Sequence, residues 1–201
     1  MFPLGSVLLP GMILPLHVFE ERYRALVRHC LDDEAPFGVV LIERGSEVGG
    51  GDVRSDVGTL AQVMRAEETP DGRWGVIAVG TERLRIDGWL ADDPYPQARV
   101  EAWPDEPPTD LTALAERYAT QVSALRRVLA MAAEMGASVD AIVELPDDPL
   151  AGSHHLAALA PVGALDRQRL LAAPGPERRV EVFAELIDDV AATLEAQLAG
   201  G

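Results

Sequence analysis

Lysine is absent from the chain: all 17 of its Lys-plus-Arg residues are arginine. That excludes a phosphate-binding loop and a Ser-Lys dyad, each of which needs a lysine amine at its centre. Cysteine is almost absent too. Cys30 alone can form no internal disulfide and no cysteine-based zinc site, and it fits a reducing compartment. No uninterrupted apolar run approaches the ~18 residues that a membrane span requires. Strand-like sequence begins at Phe2, which leaves no room for a basic and apolar signal stretch, so the expected location is cytoplasmic. Positive charge is scarce: 33 acidic residues give a formal charge of -16. Such a surface repels phosphate backbones and anionic headgroups, and neither nucleic acid nor membrane is expected as a partner. It favours solubility and can steer cationic unfolded segments, although acidity of this kind is common in proteins with no partner in view.

What remains is a chain of 201 residues with 48% hydrophobic content, enough for one large or two small domains with a real core. A short strand is expected over Leu4 to Leu9, closed by Pro10-Gly11, and a second over Met12 to Leu16. From Phe19 the period changes. Phe19, Tyr23, Leu26, Val27, Cys30 and Leu31 share one face of an amphipathic helix, with Glu20, Glu21, Arg22, Arg24, Arg28 and His29 on the other. Cys30 reads there as a small core residue rather than a reactive thiol. Phe37 to Ile42 suits a central strand, and Gly45 to Gly51 reads as a flexible loop. Next, Gly58 to Glu67 and Arg73 to Gly88 flank Thr69-Pro70-Asp71-Gly72, in which proline presets the first turn dihedral and glycine accepts the left-handed one. Gly80 marks a bulge or sharp bend within the second of these strands. Ala98, Val100 and Ala102 alternate with Arg99 and Glu101 in a further strand.

Pro104-Asp105-Glu106-Pro107-Pro108 can continue neither strand nor helix, so a boundary is expected there, between a β-rich unit over residues 1–104 and a helical unit over 109–201. Thr109 or Asp110 caps a long helix in which Leu111, Leu114, Tyr118, Val122, Leu125, Leu129 and Ala132 face inward, ending near Gly136. Shorter helices are expected at Val139 to Leu145, Ser153 to Leu159 and Ala164 to Leu171. Pro176 then opens a last helix with Val180, Phe183, Ile187, Val190 and Leu194 inward. The fold class is α+β: β-rich with one amphipathic helix, followed by a helical bundle.

Residues able to carry chemistry are few. His17, at the entry to the first helix, reads as a packing or capping group. His154 and His155 are adjacent, point about 100 degrees apart on a helix and cannot both face one metal. Asp147 and Asp148 nearby read as a solvated loop and a helix cap. None of Ser6, Ser46, Ser55, Ser123, Ser138 and Ser153 lies in a nucleophile elbow, and the acidic pairs Glu67-Glu68, Asp92-Asp93 and Asp188-Asp189 read as solubilising groups. No catalytic residue, metal site or cofactor site is expected. A binding surface is the more physical expectation, because holding unfolded segments takes exposed apolar side chains rimmed by polar ones. The candidates are Met12, Ile13 and Leu14, with Glu20, Glu21 and Arg22 at the helix head and Arg83 in the hairpin. Against this, apolar residues beside prolines are more often core, and Arg83 can simply pair with a carboxylate across the sheet. Trp74, Trp89 and Trp103 read as core or junction residues.

The opening FPLGSVLLPGMILPLHVFEERY, from Phe2 to Tyr23, resembles the start of the Lon N-terminal (substrate-binding) domain. So do Gly58-Thr59-Leu60-Ala61, Asp71-Gly72-Arg73, the run Val79 to Ile86, and the late pattern of Gln168, Leu171, Arg179 and Val180. These motifs, in the right order, are specific. The resemblance implies a PUA-like pseudobarrel joined to a helical bundle, in a free-standing bacterial member without the ATPase and peptidase domains of Lon protease. It also implies a non-catalytic protein that binds unfolded or hydrophobic peptide segments or a protein partner. The alternatives are an interaction module that docks a folded partner or a second copy as a homodimer, and a hydrolase or small-molecule binder using His154 or His155. Cereblon-type relatives carry a CxxC pair and an aromatic cage, and this chain has neither.

Overall fold

The computed structural model describes residues 1–45, 52–137 and 144–200. They form two compact units, Met1–Pro104 and Asp105–Gly201. The expected loop beyond Gly45, most of the expected helix at Val139 to Leu145, and Ser46 and Ser138 lie outside the described residues.

The first unit is one curled sheet with a single helix. Its strands are β1 (Phe2–Leu4), β2 (Ile13–Val18), β3 (Phe37–Arg44), β4 (Val53–Glu68), β5 (Trp74–Trp89) and β6 (Ala98–Ala102), and α1 (Glu21–Asp32) lies between β2 and β3. The order is β1-β3-β4-β5-β2, with β6 on the far half of β5. Only β1 and β3 run parallel. The β4–β5 hairpin closes at Thr69–Gly72, where the Gly72 N–H donates to the Thr69 carbonyl at 2.8 Å and Gly72 takes φ +78.

The first strand is shorter than its apolar pattern predicts. Leu8 and Leu9 are buried, but not as a strand. The Leu8 carbonyl accepts the Thr59 hydroxyl at 2.6 Å, and the Leu9 carbonyl accepts the Met12 N–H across the Pro10-Gly11 turn, with Gly11 at φ +82. Gly80 lets this turn lie against β5, because a Cβ there would stand 2.6 Å from the Leu9 carbonyl oxygen.

The sheet's inner face takes Leu14, Leu16 and Val18 from β2, Val76 and Ala78 from β5, and Val63 from β4. Helix α1 closes it with Tyr23, Leu26, Val27 and Cys30, and the Phe2 and Tyr23 rings stack at 4.2 Å. Phe19 and Leu31, expected on the inward stripe, are exposed. The helix begins only at Glu21, so Phe19 sits in the turn before it and escapes the helical period.

Proline blunts the two ends of the strand path. Pro15 has no N–H to give β5, and the Met12 carbonyl accepting from Gly80 sets the ladder so that Leu14 and Leu16 occupy the bonded positions. Pro15 therefore turns its nitrogen to the free edge. Pro3, the middle residue of β1, takes the corresponding phase away from β3 for the same reason. Both end strands are blunted.

The second unit comprises α2 (Leu111–Glu134), α3 (Pro149–Leu159), α4 (Ala164–Leu171) and α5 (Pro176–Gly200). Asp110 caps α2 through the Thr112 and Ala113 N–H groups, and Asp148 caps α3 ahead of Pro149. Leu114, Tyr118, Leu125, Val128 and Leu129 of α2 are buried, together with Leu156, Leu170, Phe183 and Ile187. Leu111, the first residue of α2, is exposed instead of inward.

Candidate functional site

Three strands present one outer face, and their register sets its rows. Ile13 stands beside Val79 and Gln62, Pro15 beside Ile77 and Arg65, and His17 beside Gly75 and Glu67. Ile13 is 69% exposed, and Pro15, Ile77 and the bulge residue Met64 are exposed as well. This is an apolar face rimmed by Arg65 and Glu67, which pair with each other.

Gly75 breaks the face. A Cβ there would meet nothing within 4 Å, and a notch of about 280 Å³ opens over Gly75 and Ile77 between Pro15 and His17 on one side and Arg65 and Glu67 on the other. His17 also lines a cleft of about 580 Å³ that runs to Trp74 and the hairpin turn. A third cleft, about 190 Å³, lies where the two end strands approach each other, between Phe2 and Leu4 of β1 and Pro15 to Val18 of β2, with Glu20 and Tyr23 at its side. His17, read from sequence as a packing or capping group, thus stands on the surface where three clefts meet.

The other expected site residues divide. Ile13 faces outward, whereas Met12 and Leu14 pack against the core, because neighbouring strand residues point to opposite faces. Glu20 pairs with Arg22 at 3.1 Å, and Arg22 also lies over the Tyr23 ring at 4.5 Å. Glu21 pairs with Arg24 at 2.8 Å. Arg83 is 3% exposed and stacks on Trp103 at 4.1 Å, six residues along β5 from Ile77 and so about 20 Å away. Sequence reading missed Pro15, Ile77, Met64 and Gly75. The available signal was the turn at Thr69–Gly72, which fixes the hairpin register and hence the rows.

Tyr23 lines the third cleft, and burial pushes its phenol up from 10.0 to about 12. Folding favours the neutral form, so this contribution is fully present below pH 10 and is lost as pH rises toward 12. Urea unfolding on either side of that interval should show wild type losing about 2 to 3 kcal/mol more than Tyr23→Phe.

The histidine pair turns to separate partners. His154 Nε2 lies 3.2 Å from Asp105, and His155 Nδ1 lies 3.1 Å from the Ala151 carbonyl. Ser153 donates to the Leu150 carbonyl at 2.9 Å and accepts from Arg179 at 2.8 Å, so its proton rests on a carbonyl and not on an imidazole. Among the described residues no group of three or more His, Cys, Asp and Glu is placed to hold a metal ion, and no helix is long and apolar enough to cross a membrane.

Comparison with known proteins agrees with this architecture. The model of the ATP-dependent protease La (Lon) substrate-binding domain matches residues 1–189. The Lon protease of Anaeromyxobacter dehalogenans is 28% identical over 92% of this chain, and Lon protease 2 of Myxococcus xanthus is 25% identical over 92%. This chain spans 22% of the length of each. A Lon N-terminal domain protein from Xanthomonas campestris superposes with a TM-score of 0.61 at 29% identity, over 90% of this chain and 92% of that one. The N-terminal domain of the Mycobacterium avium complex Lon protease shares the fold, with a TM-score of 0.64 at 20% identity over 93% and 97%. The chain belongs to the family of Lon substrate-binding domains.

Proposed function

We propose that this protein is a non-catalytic binding module of the cytoplasm that holds unfolded or hydrophobic protein segments on the outer face of β2, β5 and β4. One observation carries the proposal: Ile13, Pro15, Ile77 and Met64 are exposed apolar groups on neighbouring strands, beside a polar rim. Scattered apolar side chains need no partner, but a contiguous group over a concavity does. Family membership supports substrate binding in general terms. The tied-down Ser153 and the separated histidines support the absence of catalysis.

The test is fluorescence polarisation with labelled, reduced and carboxymethylated α-lactalbumin as a permanently unfolded probe. Wild type should bind it saturably. Ile13→Asp should weaken binding at least about tenfold by setting a charge into the apolar contact. Its thermal unfolding should stay within about 0.5 kcal/mol of wild type, because the residue is exposed. Undiminished binding by that variant, or ATP or casein hydrolysis abolished by a point substitution, would defeat the proposal.

A further inference from the structure

We infer that the bound segment is held through its side chains, one large apolar side chain seated in the notch over Gly75, and not by adding a strand to the sheet edge. The inference rests on the binding face proposed above and specifies how that face reads its ligand.

Two independent features carry it. First, Gly75 leaves a bare patch in the middle of a three-strand row. Its neighbours across the row are His17 and Glu67, on strands about 10 Å apart, so their side chains form walls and Gly75 the floor. Ile77, one row on, makes the end of that floor apolar. A volume of about 280 Å³ accepts a side chain the size of leucine or phenylalanine. The Arg65–Glu67 pair and His17 supply polar groups at the rim, where the backbone of an extended segment would pass.

Second, the usual alternative is obstructed at the two strands that flank the third cleft. Strand addition needs a row of N–H and C=O groups along a free edge. Pro15 on β2 and Pro3 on β1 each face the free edge without an N–H. The third cleft, where these edges converge, therefore offers an incoming strand an interrupted ladder on both sides. Recognition falls to the side chains, so affinity follows their size more than the backbone's hydrogen-bonding capacity.

The test uses a short fluorescein-labelled glycine–serine peptide with a central leucine between two other apolar residues, a version with the central leucine replaced by alanine, and a version N-methylated around the leucine. Wild type should bind the alanine version about tenfold more weakly than the parent and the N-methylated version within about threefold of it. Gly75→Leu should bind the parent about tenfold more weakly than wild type and no longer distinguish leucine from alanine. Its fold is protected, since a Cβ at this position touches nothing and its φ is not left-handed. Loss of binding on N-methylation, or unchanged discrimination by Gly75→Leu, overturns the inference and leaves the binding face standing. Failure of wild type to bind the parent peptide, or binding untouched by Ile13→Asp, overturns the binding face itself and the inference with it.

Discussion

Replacing Arg179 by methionine should cost about 3 kcal/mol of stability, measured by urea unfolding followed through the helical signal. Its side chain is fully buried in the helical unit. One edge of the guanidinium grips Asp105 with two bonds, at 2.9 and 2.6 Å, and two further donors reach the Ser153 hydroxyl at 2.8 Å and the Leu170 carbonyl at 3.2 Å. The arginine thereby ties the residue after Pro104 to α3, α4 and α5 at one point. Methionine has similar bulk but leaves a carboxylate, a hydroxyl and a carbonyl without their donor. Asp105 retains some exposure and the His154 contact, which holds the expected cost at the lower end of the range for breaking a buried pair. Arg179→Lys should fall between the two, since it keeps the charge and loses the fork. A loss under about 1 kcal/mol for the methionine variant would show that water already solvates the cluster.

The second large effect contrasts two glycines of the same sheet. Gly58→Val should cost about 3 kcal/mol or more, while Gly75→Val should be neutral or slightly stabilising. A Cβ on Gly58 would be driven into the Val39 carbonyl oxygen and would stand 2.7 Å from Val40 Cγ1, and the β3–β4 ladder at Val40↔Gly58 gives the backbone no room to retreat. At Gly75 the same atom enters open space, and a β-branched residue restricts the unfolded chain more than glycine does. Equal unfolding midpoints for the two variants would contradict this reading of the sheet. The pair also separates fold from binding, because Gly75 variants alter the surface while leaving the core untouched.

Much of the fold is legible in the sequence because its signals are local. The spacing of Tyr23, Leu26, Val27 and Cys30 predicts the buried face of α1, and Pro-Asp-Gly predicts the turn between β4 and β5. Phe19 shows where such a signal ends: the spacing extends one step beyond the helix, and nothing in the spacing marks Glu20 as its cap. The proposed binding face is less legible. The run Val76-Ile77-Ala78-Val79 is apolar on both faces, so alternation cannot tell that Val76 and Ala78 are core while Ile77 reaches the surface. The hairpin turn sets Gly75 beside Glu67, but the notch over Gly75 also depends on the register of His17 with Gly75, between segments far apart in sequence, which no local pattern contains. Met12 and Leu14 accompany Ile13 in sequence but not in space, since a strand alternates its sides.

The most direct test of the binding face is a titration of isotope-labelled protein with the unfolded α-lactalbumin probe, followed by backbone amide and methyl resonances. Saturable shifts centred on Ile13, His17, Met64, Gly75 and Ile77, with little change at Leu125 or Phe183, are the expected result. Shifts confined to the helical unit, or none at saturating probe, would contradict it.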